Sequence, residues 1–586
     1  MTASTHPVTL GSRLTVDDVV RVARQHVAVA PLGPEAVARM QRSAQWVEQV
    51  VRDVAGGSSH RAYYGINTGF GAQAGRSTLG SPHLTEVLGR NLIASHCVGV
   101  GAWLPEEAVR ATLLVRAQSL AQGFSGVRPE LVAKLVAMLN AGVYPAVPEQ
   151  GSLGASGDLA PLAHIALMMT APPAAGSGDA PVDATDGEAF VRCAALPGAA
   201  VDRLHIDEDY ESGTQSVWQR VPGAQAMREA GGQIALRAKE ALALLNGATV
   251  SAALAALVVR DMANLLANAE LAVAACVECI GGFRDPFFPQ VHEARGHEAA
   301  GRAARNILGY LEGSELADPG DLHTDPQRVP PQDPYCVRCA PQVLGTAEDT
   351  LALARRWVEM DLNAATDNPL VFPALARDYK AVSGGNFHGE PIALAMDFLA
   401  IAATEVASLS ERRMFTLCEL PAQRFPEQAG NRFLIAEPRQ TAGLNSGLMM
   451  LQATAAALVS DCKVLAHPDS VDSIPSSGNQ EDHVSMSLNA ALHARKVLRN
   501  AETVVALELL CAAQGLHLRT STGPGDGGKP GRGGAAVRDV LRKSGWEPVE
   551  RDRVMQEDIR LAIRLVRSGA FLQRRTGTTF PSEEHP

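Results

Sequence analysis

A mainly α fold built around a bundle of long helices is what this sequence predicts, and three observations predict it. Aromatic residues make up only 4% of the 586 residues. Ala- and Leu-rich stretches recur at lengths beyond an average helix, and alternating β-branched segments are few. With 46% hydrophobic and 20% charged residues, the chain can bury a large core, which excludes a disordered, collagenous or disulfide-stapled protein. Lys and Arg number 52 against 63 Asp and Glu, a net charge of −11, which argues against nucleic acid as a partner.

The elements follow in order. Residues 13–55 read as helices: Thr15-Val-Asp-Asp18 offers a capping start, Pro34 sits early in a second run, and Gly56-Gly57 ends it. Tyr63–Gly71 carries three glycines and reads as a mobile surface loop. From Ala171 to about Gly223 the composition shifts to Ala, Pro, Gly and acidic residues, the signature of a solvated insertion without a core. Helical patterns then recur over 230–277, 346–360, 391–414, 442–465 and 485–516, suggesting a bundle. Gly523–Gly534 reads as a flexible loop before a C-terminal helical pair. The expected division is an N-terminal domain over 1–228, including the 171–223 insertion, and a helical bundle with C-terminal helices over 229–586. Met1-Thr-Ala-Ser-Thr-His-Pro7 lacks the basic start and apolar stretch of a secretory signal, and the apolar Val250–Val259 is followed at once by Arg260-Asp261. No membrane span is expected and the location is expected to be cytoplasmic. Nine scattered cysteines fit reduced thiols.

Three patterns imitate known sites. Gly523–Lys529 spells G-x-x-x-x-G-K, but Pro530 stands where a phosphate loop needs Ser or Thr, and no strand precedes it. Cys276-Val-Glu-Cys279 and Cys336-Val-Arg-Cys339 are too far apart for a zinc ribbon and lie in apparent helices. His292 and His297 are five residues apart, so their rings diverge on a helix. No metal site is assigned.

The informative segment is Gly151-Ser-Leu-Gly-Ala-Ser-Gly-Asp-Leu-Ala-Pro-Leu-Ala-His164. One reading is a tight turn in which Asp158 caps and Pro161 begins a helix. The other uses the smallness for chemistry. With Ala155, Ser156 and Gly157 bent tightly, the Gly157 amide nitrogen can approach the Ala155 carbonyl carbon, unhindered by a Cβ. Cyclisation and loss of two waters would give a 4-methylideneimidazol-5-one (MIO), whose methylidene is an electrophile that no ordinary side chain supplies.

Here the chain resembles the aromatic amino-acid ammonia-lyase and aminomutase (MIO) family, and within it the histidine ammonia-lyase branch, across nearly its whole length. The motifs are Tyr64–Gly71, Asn91–His96, Gly154–His164, Leu244-Leu-Asn-Gly247, Gln332–Arg338, Asp367-Asn-Pro-Leu370, Ser383–His388, Ser410-Glu-Arg-Arg413 and Val471–Met486. The resemblance implies the ammonia-lyase (fumarase/aspartase-like) type of long central bundle with a smaller N-terminal MIO-bearing domain. It also implies a homotetramer with composite active sites, and no external cofactor beyond the MIO of Ala155-Ser156-Gly157. Two departures from the family pattern stand out, the 171–223 insertion and residues 296–331, the latter bordering the site entrance in the family.

By this resemblance Tyr64 is the base that removes the substrate's β-proton. A tyrosine of pKa ≈ 10 is only about 0.1% ionised at neutral pH, a handicap of roughly 4 kcal/mol, so its surroundings are expected to stabilise phenolate. Gln332, Tyr335 and Arg338 are spaced three and three, along one helical face, with Asp333 as cap and Pro334 in the first turn. Arg338 is then a bidentate clamp for the α-carboxylate, Tyr335 a second phenol near the MIO, and Gln332 a residue of the entrance. Asn246 hydrogen-bonds the MIO oxygen or the substrate, and Phe387 packs near the MIO.

By the same resemblance, specificity rests on His96, which matches the histidine-lyase pattern and excludes phenylalanine better than tyrosine, and on Glu481, whose carboxylate can accept an imidazole N–H but would be an unpaired charge against a phenyl ring. The expected reaction is L-histidine to trans-urocanate and ammonia. A tyrosine ammonia-lyase or an aromatic aminomutase forming a β-amino acid is the alternative. A non-catalytic scaffold is the third reading, and it would need none of Tyr64, Ser156, Asn246, Tyr335 and Arg338.

Overall fold

The computed structural model describes residues 6–75, 82–173, 185–193, 217–318, 332–424, 432–436, 443–521 and 528–572. As expected, the described chain is mainly helical. It divides into two compact units: one comprises residues 1–260, 353–397 and 468–493, the other 261–352, 398–467 and 494–586.

In the first unit, α1 (Val16–Arg24) starts with the capping box foreseen in the sequence. The Thr15 side chain accepts from the Asp18 N–H, and the Asp18 carboxylate accepts from the Thr15 N–H. Its buried face (Val16, Val19, Val20, Ala23) packs on α4 (Glu106–Ala121). Between them, α2 (Pro34–Ala55) begins with Pro34 and stops at Gly56, and α3 (Pro82–His96) ends in His96. Further helices are α5 (Pro129–Ala141), α6 (Leu159–Met169), α7 (Gly223–Met227) and α8 (Glu240–Leu245). Helices α3, α6 and α8 pack on one another, which brings His96, the segment before Leu159 and Asn246 into one region of the unit.

Short strands brace this region. β1 (Val100–Trp103) pairs antiparallel with β3 (Pro148–Gln150), tying the chain after His96 to the chain before Gly151. β2 (Tyr144–Pro145) pairs with β4 (Glu188–Cys193), which pairs with β5 (Val217–Pro222) in the register Glu188↔Pro222 to Cys193↔Val217. This corrects the expectation of a coreless insertion over 171–223. Ala189 and Phe190 are buried, and Phe190 meets Trp103 edge to face at 5.7 Å. The apolar run Ala189-Phe190-Val191 is short and is hidden by the polar composition around it. Residues 174–184 and 194–216 lie outside the described residues.

The Tyr63–Gly71 loop is also better anchored than its glycines suggest. Tyr63 is buried, stacks on Tyr379 at 5.1 Å and meets Trp46 edge to face at 5.6 Å. The Asn67 side chain accepts from the Tyr63 N–H at 2.7 Å and donates to the Arg61 carbonyl at 3.1 Å. Gly65, at φ +71°, lies so close to Leu242 that a Cβ there would come within 2.5 Å of its methyl. Buried aromatic surface outweighs the chain entropy that three glycines bring.

Four long helices supply residues to both units: α9 (Thr249–Ile280), α13 (Ala340–Leu362), α14 (Glu390–Arg424) and α16 (Ser487–Ser521). Helices α9, α14 and α16 run for 32, 35 and 35 residues, about 50 Å each. Contrary to the reading of interrupted apolar segments, these three are long and apolar enough to cross a membrane, yet 78%, 67% and 89% of their apolar windows are buried within the protein.

The second unit also contains α10 (Pro289–Arg295), α11 (Glu298–Tyr310), α12 (Tyr335–Arg338), α15 (Met449–Leu465), α17 (Arg532–Lys543) and α18 (Gln556–Arg567). The imitation motifs are absorbed by its structure. Cys276 and Cys279 are buried on α9, and burial pushes both thiols well above the usual thiol range, leaving them protonated and inert. His292 Nε2 contacts the Pro286 carbonyl at 2.9 Å, while His297 caps α11. At the end of the glycine-rich loop, the Lys529 N–H donates to the Glu315 carboxylate at 2.9 Å and the Gly531 N–H to that of Glu278. These acids occupy two backbone donors at the end of the motif; residues 522–527 lie outside the described residues.

Candidate active site

The turn before α6 is held by donors and acceptors on all sides. Ser152 Oγ donates to the Asp158 carboxylate at 2.8 Å and accepts from the Gly154 N–H at 3.1 Å. Asp158 is fully buried and also accepts from the Ser251 N–H and hydroxyl, both at 2.9 Å. Burial raises its carboxyl above the usual range, and these donors oppose the rise. Its side chain therefore ties α9 to the turn and does not cap α6, as the sequence had suggested. On the other side, the Met486 N–H donates to the Leu153 carbonyl at 2.8 Å and Ser485 Oγ to that of Gly154 at 3.2 Å.

Gly157 is pressed against Gly247 in an isolated parallel bridge. It has φ +75°, and a Cβ on it would lie 2.0 Å from the Gly247 carbonyl carbon, so no other residue fits. The Gly247 N–H donates to the Ser156 carbonyl at 3.2 Å, and the Asp158 N–H donates to the Gly247 carbonyl at 2.9 Å. Arg116, fully buried, fixes the same strand by donating to the Asn246 carbonyl at 2.8 Å. Nearby Lys239 pairs with Asp367 at 2.5 Å with both side chains inaccessible. Sequence reasoning assigned no role to Arg116, Lys239 or Ser485. Asp367 lay in a quoted motif, but nothing in its spacing shows that it neutralises a buried lysine 128 positions earlier.

Two residues foreseen for the site converge on Ser156. Its hydroxyl donates to Glu481 Oε1 at 2.8 Å. Asn246 Nδ2 donates to its carbonyl at 2.8 Å, while Asn246 Oδ1 is buried without a hydrogen-bond partner. A tight turn that excludes a Cβ at Gly157, a hydroxyl already engaged and an orphaned amide oxygen beside it suit the MIO: Ala155, Ser156 and Gly157 would form it, and Asn246 would face it.

Tyr64 Oη accepts from the Gly71 N–H at 3.3 Å. Burial raises its pKa above 10, the Glu481 and Asp367 carboxylates add to the rise, and only the Gly71 bond opposes it. This corrects the expectation that its surroundings stabilise phenolate: burial and two carboxylates disfavour it within this chain. His96 Nδ1 contacts the Leu92 carbonyl at 2.8 Å, which puts the ring proton on Nδ1 and leaves Nε2 an acceptor. Phe387 is half-buried in the loop before α14, two residues from Gly389, whose N–H donates to the Gly154 carbonyl at 3.4 Å. Beside it, His388, Glu390 and His483 bring ligand atoms within 4.8 Å of one another. Both His388 nitrogens are engaged, Nε2 with the His483 carbonyl at 3.2 Å and Nδ1 with the Glu390 N–H at 3.3 Å.

Tyr335, Arg338 and Gln332 belong to the second unit. Tyr335 and Arg338 share α12, but Gln332 precedes the helix, so the three do not form one helical face. Asp333 does not cap it. Its carboxylate accepts from the Phe283 N–H at 2.7 Å, and Arg338 Nε donates to its carbonyl at 3.0 Å. Tyr335 is 69% exposed, with the Arg338 guanidinium 4.4 Å over its ring.

A mainly helical body with a glycine-cradled Ala-Ser-Gly turn defines the class, and the sequence profile of the aromatic amino acid lyases matches residues 14–543; the chain belongs to that family. It is 42% identical to the histidine ammonia-lyase of Caldanaerobacter subterraneus subsp. tengcongensis over 95% of this chain and 96% of that one. It is 43% identical to the histidine ammonia-lyase of Anaeromyxobacter dehalogenans over 96% and 98%. Among solved structures, histidine ammonia-lyase from Trypanosoma cruzi (34% identity, TM-score 0.77, covering 97% and 94%) and tyrosine aminomutase from Streptomyces globisporus (32%, 0.81, covering 98% and 100%) share the fold.

Proposed function

We propose that this protein is a histidine ammonia-lyase, converting L-histidine to trans-urocanate and ammonia. The observation that carries the reading is the Glu481 carboxylate hydrogen-bonded to Ser156 at 2.8 Å. At that place it can accept the N–H of an imidazole bound beside the reacting centre, whereas against a phenyl ring it would be an unpaired charge. His96 Nε2 is a second acceptor for the same ring. The histidine ammonia-lyase names of the relatives at 42–43% identity point the same way.

An MIO formed from Ala155, Ser156 and Gly157 supplies an electrophilic methylidene that activates the leaving amine. The rest falls to side chains. Tyr64 takes the β-proton, and its raised pKa makes phenolate scarce until a cationic neighbour or substrate offsets the nearby carboxylates. Arg338 holds the α-carboxylate, Tyr335 assists departure of the amine, and Gln332 and Phe387 border the substrate. The exposure of Tyr335 on α12 suits side chains offered to another copy, and we propose a cytoplasmic homotetramer with composite sites, acting on a small amino acid. The tyrosine aminomutase likeness supports a second reading, retention of ammonia and its return to the β-carbon of an aromatic amino acid.

The test is ultraviolet detection of urocanate from L-histidine, with Ser156→Ala as control and L-tyrosine and L-phenylalanine in parallel. Urocanate from the intact protein alone supports the reading. Inertness toward histidine, with β-amino acids formed from tyrosine, overturns it.

A further inference from the structure

Glu481 touches a hydroxyl that does not survive in the finished site. We infer that Glu481 first serves as the acid–base relay that dehydrates Ser156, and only then becomes available to substrate. The inference rests on the proposal that Ala155, Ser156 and Gly157 close into an MIO.

The chemistry divides into two water losses. In the first, the Gly157 nitrogen bonds to the Ala155 carbonyl carbon. The Ala155 oxygen leaves as water with the protons of the Gly157 and Ser156 amides, and a C=N bond forms between Ala155 C and Ser156 N. In the second, Ser156 loses its Cα proton and its hydroxyl, and the Cα–Cβ double bond replaces the Cβ–Oγ bond. No oxidant is needed. The second step requires stabilisation of charge on the Ser156 carbonyl when the Cα proton departs, and a proton for the departing oxygen.

Both requirements are met by groups already in contact. The Ser156 carbonyl accepts from Asn246 Nδ2 at 2.8 Å and from the Gly247 N–H at 3.2 Å, a two-donor hole of the kind that stabilises an enolate oxygen. The Ser156 hydroxyl meets Glu481 Oε1 at 2.8 Å, and the Ser156 Cα that loses its proton is two bonds from that hydroxyl oxygen. The carboxylate takes the Cα proton and returns it to Oγ as the Cβ–Oγ bond breaks, ending as it began. Ser476 Oγ donates to Glu481 Oε2 at 3.0 Å, and the 476 and 481 backbones bridge each other, so the carboxylate is held in place for the transfer. When the water leaves, Oε1 loses its partner, and the oxygen that handled the hydroxyl faces the substrate.

Mass spectrometry of the intact full-length chain and of its triad peptide, followed through refolding, reads each water separately from activity. Wild type should lose both. Glu481→Gln, and Glu481→Met as a second carboxyl-free variant in case one does not fold, should stop after the first water or lose the second at least about a hundredfold more slowly, as removal of a general acid–base does. Glu481→Asp should complete the loss. Helicity by circular dichroism establishes which variants are folded. A folded carboxyl-free variant that loses both waters at the wild-type rate overturns the inference. A wild type that loses neither overturns the MIO reading instead.

Discussion

Arg413 and Glu508 offer a test of what holds the second unit together. Both side chains are inaccessible. Arg413 Nε donates to Glu508 Oε1 at 2.5 Å and Nη2 to Oε2 at 2.7 Å, Ser410 Oγ donates to Oε2 at 2.5 Å, and Arg413 Nη1 reaches the Cys336 carbonyl of α12 at 3.3 Å. Arg413→Met leaves the buried carboxylate with the serine hydroxyl alone, and Glu508→Leu leaves the guanidinium with one carbonyl. Each should cost about 3–5 kcal/mol, because an uncompensated charge stays in the core. Arg413→Met with Glu508→Leu removes both charges at similar volume. What it forfeits is the hydrogen bonds to Ser410 and Cys336, about 1 kcal/mol each, so the double variant should lie within about 2 kcal/mol of wild type while the single costs sum to about 6–10. The assay is urea unfolding followed by circular dichroism, with midpoints compared across the four proteins. A double variant as unstable as the two singles added together would refute the reasoning, since the cost would then come from lost packing. Because the pair also holds α12, the folded double variant should show a raised KM for histidine.

Two further outcomes are expected. With the Tyr64 phenol raised above 10, the phenolate fraction, and with it kcat/KM, should climb about tenfold per pH unit between about pH 7 and 10, and Tyr64→Phe should cost about 10²–10⁴-fold; a pH profile flat from neutrality would show that the base is not this phenol in this environment. Gly157→Ala should lose about 3–5 kcal/mol of stability, from a left-handed backbone and two broken hydrogen bonds as its Cβ displaces Gly247, and should retain both waters by mass; a variant with wild-type melting and both waters lost would contradict the cradle described for the turn.

Much of the site was legible because its chemistry is local. Ala155-Ser156-Gly157 lie side by side, and their smallness has a reason that needs no tertiary information. The ends of α1 and α2 were legible for the same reason, since the Thr15–Asp18 box and Pro34 act within one turn. Reading failed where distant residues decide the outcome. The glycines around Tyr64 suggested mobility, but Tyr63 is locked by Tyr379 and Trp46. The Pro- and Gly-rich composition of the insertion hid strands that become favourable once paired with Tyr144–Pro145. The spacing of Gln332, Tyr335 and Arg338 suggested one helical face, but the helix begins only at Tyr335.

Residue type, periodicity and neighbours along the chain are enough to specify the class of fold, the residues able to cyclise, and the side chains whose chemistry fits elimination of ammonia. Which partner each of those groups meets is set by the tertiary structure. It set Glu481 on the Ser156 hydroxyl, two N–H donors on the Ser156 carbonyl, and the Glu481 and Asp367 carboxylates within electrostatic reach of Tyr64. Electrostatic and hydrogen-bond energies fall steeply with distance through space, and separation along the chain does not encode that distance.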